Sequence, residues 1–341
     1  MVRMTSSKNS DVPLLPSGEA VLAVVRRALS RGRLSAYVTD WYVRRDNYVV
    51  AAVACESPSV RLIVKLEMRT NRHLDVMATI ARIVRAQTSA PTFDVVAVDV
   101  SRRAWPWEYL IVTELPGVTW QTLHPALHAA AQRQIGRSAA ALHALRFDSF
   151  GELDANGSVR HGSSIVTALK QRALRRIKTP RYRDIMLGVL EDRAKLFEDV
   201  TVSTLCHEDL NPNNLVFELR DGRPVLSGIL DLESAWASTG ESDLARLKLW
   251  WFTRGSALRD GYAELAIISD GYPSRRPVLQ LLWCLEYADL HPTVEHQSSR
   301  TRSALISGCQ MSYLTTAANS RLLDATPHYV RIQTTASCGA R

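Results

Sequence analysis

A dense group of polar side chains occupies the stretch CHEDLNPNNLVF, residues Cys206 to Phe217. Within it, Asp209 offers a carboxylate and Asn214 an amide oxygen, and a second carboxylate, Asp231, follows the later apolar run VLSGIL. Oxygen ligands of this kind suit Mg²⁺, and a carboxylate that stays off the metal can orient a hydroxyl group or accept its proton. These residue types therefore indicate phosphoryl-transfer chemistry.

The sequence between Asn214 and Asp231 predicts a β-hairpin. Its two apolar runs flank Asp221-Gly222, a pair that tolerates the positive φ angles of a tight turn. Because a hairpin reverses the chain, Asp231 returns beside Asn214. We therefore expect Asp209, Asn214 and Asp231 to converge on one small volume.

The elements that must position these residues fall into two lobes. Before Gly117, strand patterns dominate, with a helix after the cap Ser17 and another over residues 71–86. Beyond Gly117, helical patterns dominate, except around the polar stretch. The sequence predicts an α+β architecture with a flexible N-terminus at 1–16, a small β-rich lobe at 17–115, a larger helical lobe at 116–300, and a C-terminal tail at 301–341 without an interpretable pattern.

Composition indicates a globular chain of 341 residues, with 46% hydrophobic and 22% charged residues. The net charge of +8 permits binding to nucleic acid, and the stretch from Lys170 to Arg183 is strongly basic. Its charges spread over different helical faces, however, and no aromatic residue is interleaved before Tyr182. A solvated helix is the better interpretation, and no nucleic-acid partner is expected.

The sequence also indicates a location. The N-terminal residues lack the apolar core of a signal peptide, and no apolar run approaches the ~18 residues that span a bilayer. The five cysteines are scattered without a CxxC pair, which favours reduced thiols. We expect a cytoplasmic protein with no membrane partner. The pattern leaves the oligomeric state open.

Other enzyme templates are absent from the sequence. It has no GxxxxGK[ST] motif and no GxGxxG after a strand. His207-Glu208 does not begin a HExxH zinc motif, because residue 211 is asparagine.

The order of these pieces resembles a known family. His207-x-Asp209-x-x-x-x-Asn214, a hairpin and then Asp231 is similar to the catalytic segment of the protein-kinase-like fold. HEDLNPNNL…GILDLESA is most similar to the aminoglycoside phosphotransferase and choline kinase family. Lys65 in RLIVKLEM, the segment YLIVTELPG and the segment GESDLA follow the family order, so the resemblance covers roughly residues 39 to 290.

The resemblance implies a role for each matching residue. Asp209 corresponds to the catalytic aspartate that orients the acceptor hydroxyl, and Asn214 and Asp231 correspond to the Mg²⁺ ligands. Lys65 corresponds to the cation that contacts the α- and β-phosphates of ATP. His207 corresponds to a structural residue that bonds the backbone near the metal aspartate.

The resemblance further implies that the lobe at 17–115 binds the nucleotide and that the lobe at 116–300 is catalytic and binds the acceptor. The implied nucleotide site departs from the family pattern in two ways. Backbone groups of Glu114 and Leu115 correspond to the hinge that contacts adenine. The phosphate loop lacks the usual glycines, although Asn47 matches a polar loop position. The usual glutamate partner of the lysine is missing from the following helix, where Asp75 is the only acid. Glu208 stands where the family more often has a small residue.

The predicted function is therefore ATP- and Mg²⁺-dependent phosphotransfer to a hydroxyl group of a small molecule. The acceptor stays open between an antibiotic such as an aminoglycoside, which implies antibiotic resistance, and a metabolite. Five acids could bind a polycationic acceptor: Glu241, Glu264, Glu286, Asp289 and Glu295. The alternative is a catalytically degenerate kinase-like module that binds nucleotide or a partner protein.

Overall fold

The computed structural model describes residues 16–29, 35–44, 48–56, 59–68, 73–249 and 255–290. Residues 1–15 of the predicted flexible N-terminus, Asn47 and the predicted tail lie outside these ranges. In the described residues a β-rich N-terminal part precedes a mostly helical C-terminal part, as the sequence predicts.

The N-terminal part is one antiparallel sheet with a helix on each face. Its strands are ordered β1-β2-β3-β5-β4. The elements are α1 (Gly18–Ala28), β1 (Ala36–Arg44), β2 (Tyr48–Glu56), β3 (Ser59–Glu67), α2 (Leu74–Gln87), β4 (Val95–Asp99) and β5 (Glu108–Thr113).

The two faces of this sheet bury different helices because side chains alternate along a strand. Val64 and Leu66 of β3 pack with Val21 and Val25 of α1. The intervening Lys65 therefore points to the other face, where α2 packs.

The C-terminal part combines six helices with two small sheets among its described residues. The sheet orders are β7-β10-β13-β8-β9 and β12-β11-β6. The elements are β6 (Val118–Thr119), α3 (His128–Leu142), β7 (Arg146–Phe147), β8 (Phe150–Leu153), β9 (Val159–Ser163), α4 (Ile165–Arg176), α5 (Pro180–Asp192), β10 (Ser203–Cys206), β11 (Leu215–Arg220), β12 (Arg223–Ile229), β13 (Trp236–Ser238), α6 (Glu241–Leu247), α7 (Ala257–Ala263) and α8 (Tyr272–Leu290).

One hydrophobic core joins the two parts. It runs from α2, through Leu110 of β5, to Trp120, Phe217 and Leu232 of the C-terminal part. A second core packs α4, α5 and α8 together, with Trp236 of β13 at its edge. The first core holds the two lobes against each other, and the second anchors the outer helices.

The predicted hairpin is confirmed. Strands β11 and β12 pair antiparallel from Leu215↔Ile229 to Arg220↔Arg223. The turn residues Asp221 and Gly222 have φ of 50° and 72°, as a tight turn of this sequence requires.

Two further expectations can be compared with the described residues. None of their helices combines the length and the apolar character needed to cross a membrane. Cys55 and Cys206 are buried free thiols. Cys284, by contrast, is disulfide-bonded, so the expectation of reduced thiols is wrong at that residue.

Candidate active site

The loop after β10 is held by His207, which is fully buried. Its Nε2 lies 2.8 Å from the carbonyl oxygen of Leu230, and its Nδ1 lies 3.1 Å from the amide nitrogen of Asp209. A carbonyl only accepts and an amide N–H only donates, so Nε2 carries the proton and Nδ1 is the acceptor. This tautomer ties the loop to the residue before Asp231, the structural role that the resemblance implied for His207.

The carboxylate of Asp243, at the start of α6, also holds this loop. It accepts hydrogen bonds from the amides of His207 at 2.8 Å and Glu208 at 2.7 Å, and it contacts His143 Nε2 at 3.1 Å. Burial raises the pKa of Asp243, but the His143 and His207 contacts outweigh it and keep the pKa below its ordinary value. His143, Cys206 and Asp243 lie close enough to share a metal ion. The thiol of Cys206, however, donates to the carbonyl oxygen of Thr239 at 3.1 Å, and His143 and Asp243 bond each other, so each of the three already has a structural role.

Asn214 is fixed against Asp209. Its side-chain nitrogen donates to the carbonyl oxygen of Asp209 at 2.9 Å and to the Asp209 carboxylate at 3.0 Å. A short 3-10 turn over Pro212–Asn214, capped by the side chain of Asn211, sets this geometry. Because the amide nitrogen faces Asp209, the amide oxygen of Asn214 is left to serve as a ligand.

The hairpin brings Asp231 to this pair. The amide of Leu230 donates to the carbonyl oxygen of Asn214 at 2.8 Å, and Asp231 follows with a left-handed φ of 61°. Burial and the nearby carboxylate of Glu233 raise the pKa of Asp231 to about 6, with a further contribution from Asp209. The predicted convergence of Asp209, Asn214 and Asp231 is thus present in the structure.

Lys65 reaches the same place from β3. Its Nζ lies 2.6 Å from the carboxylate of Glu233 and 3.6 Å from that of Asp231. Asp75, the acid that the sequence offered as its partner, uses its carboxylate to accept from the amide of Val76 at 2.8 Å. Glu233 supplies Lys65 with a carboxylate from the C-terminal lobe. Sequence reasoning missed this residue, although an acid two positions after Asp231 was a usable signal.

The charge balance of the site fits a divalent cation. The ammonium group of Lys65 contacts the carboxylates of Asp231 and Glu233, and Asp209 adds a further negative charge near Asp231. Burial is the largest cause of the raised pKa of Asp231, and the neighbouring carboxylates of Glu233 and Asp209 raise it further. Together with the amide oxygen of Asn214, the carboxylates form the oxygen-rich donor set that Mg²⁺ prefers.

The connection between the lobes is also defined. The amide of Glu114 donates to the carbonyl oxygen of Arg61 at 3.0 Å. Its carboxylate pairs with the Arg61 side chain, whose hydrogen bond lowers the pKa of Glu114. The side chain of Leu115 packs against Gly228, because a Cβ added at Gly228 would lie only 2.1 Å from Cδ1 of Leu115. That the backbone of Glu114 and Leu115 contacts adenine stays a prediction.

Two of the acids considered for a polycationic acceptor are already paired. Glu241 accepts two hydrogen bonds of 2.7 Å from the buried Arg275. Glu264 pairs with Arg133 and Arg137. Neither carboxylate is a free binding group.

A third acid, Glu286, is buried and receives two hydrogen bonds, of 2.6 and 2.8 Å, from Arg172. The side chain of Asp289, and Glu295 as a whole, lie outside the described part of the chain. Arg172 was expected on a solvated basic helix, but only 2% of it is exposed. The pairing of these acids argues against a polycation-binding role for them.

Comparisons with known proteins identify the family and the fold of this chain. A family model described as the phosphotransferase enzyme family matches residues 44–278. No curated protein sequence gives a match. A thermostable mutant of aminoglycoside phosphotransferase APH(4)-Ia, crystallised with ADP and hygromycin B, superimposes with a TM-score of 0.64 at 14% identity and covers 88% of this chain and 100% of its own. An aminoglycoside-3'-phosphotransferase of type VIII gives a TM-score of 0.52 at 15% identity and covers 78% of this chain and 98% of its own.

Proposed function

The chain belongs to the phosphotransferase enzyme family and has its protein-kinase-like fold, and from this premise we propose that it transfers the γ-phosphate of ATP to a hydroxyl group of a small molecule with the help of Mg²⁺. The observation that carries the proposal is the meeting of Lys65, Asp209, Asn214 and Asp231 where the two lobes join. The complexes of APH(4)-Ia with ADP or with AMP-PNP support the choice of nucleotide.

Each residue of the site has a separate task in the proposed reaction. Asp209, with its backbone held by His207 and its carboxylate held by Asn214, orients the acceptor hydroxyl and accepts its proton. Lys65 places a positive charge where phosphate oxygens bind. Asn214 and Asp231 would hold the metal ion, which would neutralise charge on the phosphates when bound. The loose transition state of phosphoryl transfer needs positioning and electrostatics rather than covalent help from the protein.

The acceptor is proposed to be a neutral or weakly charged hydroxyl compound. The described acids that the sequence offers for a polycation, Glu241, Glu264 and Glu286, are each paired with arginine. For the buried Glu241 and Glu286, breaking the pair to bind a substrate amine would leave a charge unpaired, which is costly in a buried setting. The pairs of Glu264 are partly exposed and cost less to break. An aminoglycoside held by these carboxylates is therefore disfavoured.

Acceptor-dependent ADP release tests the proposal. Purified protein is incubated with ATP and Mg²⁺ and a panel of hydroxyl-bearing antibiotics and metabolites, with reactions lacking Mg²⁺ alongside. We expect one acceptor class to stimulate ADP release and Asp209→Asn to abolish the stimulation. Asp221→Asn is the matched control, because it makes the same change at the exposed tip of the hairpin.

The outcome separates the proposal from the alternative of a non-catalytic module. Stimulation that persists in Asp209→Asn contradicts the assigned role of Asp209. ATP binding without turnover for any acceptor favours a degenerate module that binds nucleotide or a partner protein.

A further inference from the structure

Glu208 stands next to the proposed catalytic aspartate in a backbone conformation that needs support. Its φ is 63°, a left-handed value that costs a residue with a side chain about 1 kcal/mol or more. Such a conformation persists only where the surroundings impose it. The amide of Glu208 supplies one restraint by donating to Asp243 at 2.7 Å.

The side chain of Glu208 supplies a second restraint through ion pairs with two arginines. Its Oε2 lies 2.8 Å from Arg172 of α4 and 3.5 Å from Arg246 of α6. Both guanidinium groups also contact Glu286 of α8. We call Arg172, Glu208, Arg246 and Glu286 the buried ionic cluster, because none of the four is more than 6% exposed.

Aromatic rings hold the two arginines in place. The guanidinium of Arg172 lies 5.1 Å from the ring centre of Trp236, and that of Arg246 lies 5.4 Å from that of Trp283. These distances are typical of cation–π contacts, which restrict the orientation of the planar guanidinium group. The cluster thus presents two guanidinium groups to the Glu208 carboxylate, from α4 and α6, and Glu286 of α8 contacts both of them.

The buried ionic cluster is a poor way to gain stability alone. Removing four charged groups from water costs free energy that their mutual attraction only partly returns, and an apolar replacement is often as stable. Buried ionic groups do, however, impose direction, since a carboxylate and a guanidinium must meet in a defined geometry. The ion pairs of Glu208 with Arg172 and Arg246 stand one residue before Asp209 and are suited to restraining that residue.

We propose that Glu208 is a positioning residue, which uses Arg172 and Arg246 to fix the backbone that presents Asp209 to the acceptor hydroxyl. The inference rests on the proposed role of Asp209. Glu208 contacts no reacting atom, because 1% of the residue is exposed and its charge faces the helices.

Steady-state kinetics of Glu208→Gln test the inference. The change keeps the size of the side chain and removes its charge. We expect kcat to fall about tenfold to a hundredfold, because a shift near 1 Å at a catalytic group has an effect of that size, while the KM for ATP stays unchanged. Arg172→Gln should act through the same contact, so the double variant Glu208→Gln with Arg172→Gln should lose little more than either single variant.

Leu190→Ala is the control for a purely structural effect. Leu190 is fully buried in the core of α4, α5 and α8, and its truncation should lower the thermal midpoint while leaving kcat unchanged at temperatures where the variant is folded. If Glu208→Gln behaves like Leu190→Ala, with a lower midpoint and full kcat, the positioning role is wrong.

Hydrogen exchange gives a readout that does not require turnover. Exchange of the amides of residues 207–209, followed by mass spectrometry on the full-length protein, should be faster in Glu208→Gln and unchanged in Leu190→Ala. If the amides of residues 207–209 exchange in Glu208→Gln at the same rate as in the wild type, the inference is wrong. If the Asp209→Asn variant turns over ATP at the wild-type rate, the proposed role of Asp209 fails instead. Failure of the inference about Glu208 and failure of the proposed function therefore give different results.

Discussion

The free energy of unfolding should depend strongly on Glu286. Burial opposes its charge, but the neighbouring guanidinium groups, Arg172 first, outweigh burial and lower its pKa from 4.5 to about 2. At about 1.4 kcal/mol per pKa unit, the ionised form contributes about 3 kcal/mol to stability. Removing one partner of a buried ion pair typically costs about 3–5 kcal/mol, which is the same size.

The sign of the pH dependence follows from the lowered pKa. A carboxyl group whose pKa is lower in the folded state contributes its full stability above its ordinary pKa. For Glu286 that contribution is complete above pH 4.5 and is lost as the pH falls towards about 2. Over this window the stability difference between the wild type and Glu286→Gln should shrink.

Urea unfolding measures the effect. Glu286→Gln should lose about 3 kcal/mol at neutral pH, and the loss should become smaller in acid. Glu191→Gln is the matched control, because the Glu191 side chain is 79% exposed and lies 3.8 Å from Lys170, an arrangement that contributes little. A loss at neutral pH no larger than in the control, or a loss that does not change between pH 4.5 and 2, would refute the reasoning.

Two further changes have expected outcomes. Lys65→Met should lower kcat/KM for ATP about a hundredfold in steady-state assays, because the positive charge proposed to contact the phosphates is lost. Lys195→Met, at an exposed position, is the control and should leave kcat/KM unchanged. Equal kcat/KM values for the two variants would contradict the role of Lys65. Gly117→Ala should destabilise the protein by about 2 kcal/mol or more in urea unfolding. Gly117 has a φ of 115°, and a Cβ at this position would lie 2.1 Å from the carbonyl oxygen of Phe217. Gly222→Ala is the control: Gly222 has a φ of 72° but open space around it, so this variant measures the conformational cost without the steric clash.

The local geometry of the site could be predicted from the sequence. The spacing of His207, Asp209 and Asn214 and the Asp-Gly turn before Asp231 are features of one continuous segment. The hairpin that joins them needs only turn chemistry and alternation of apolar residues, which are readable without tertiary information. The two-lobed division also followed from local periodicity.

Contacts between distant segments could not be predicted in the same way. Lys65 meets Glu233, which is 168 positions away, only because the first hydrophobic core presses the lobes together. Similarly, the periodicity of α4 shows which residues share a face but not which face meets another helix. Arg172 was therefore expected to be solvated, although it is buried and contacts Glu208, the residue before Asp209.

Identification of the product tests the central claim most directly. The acceptor that stimulates ADP release is incubated with ATP, Mg²⁺ and either wild type or Asp209→Asn, and the acceptor is analysed by mass spectrometry and phosphorus NMR. The account predicts an acceptor with one phosphate ester in the wild-type reaction and none with Asp209→Asn. Equal amounts of phosphorylated acceptor in both reactions, or ADP release that leaves the acceptor unmodified, would contradict it.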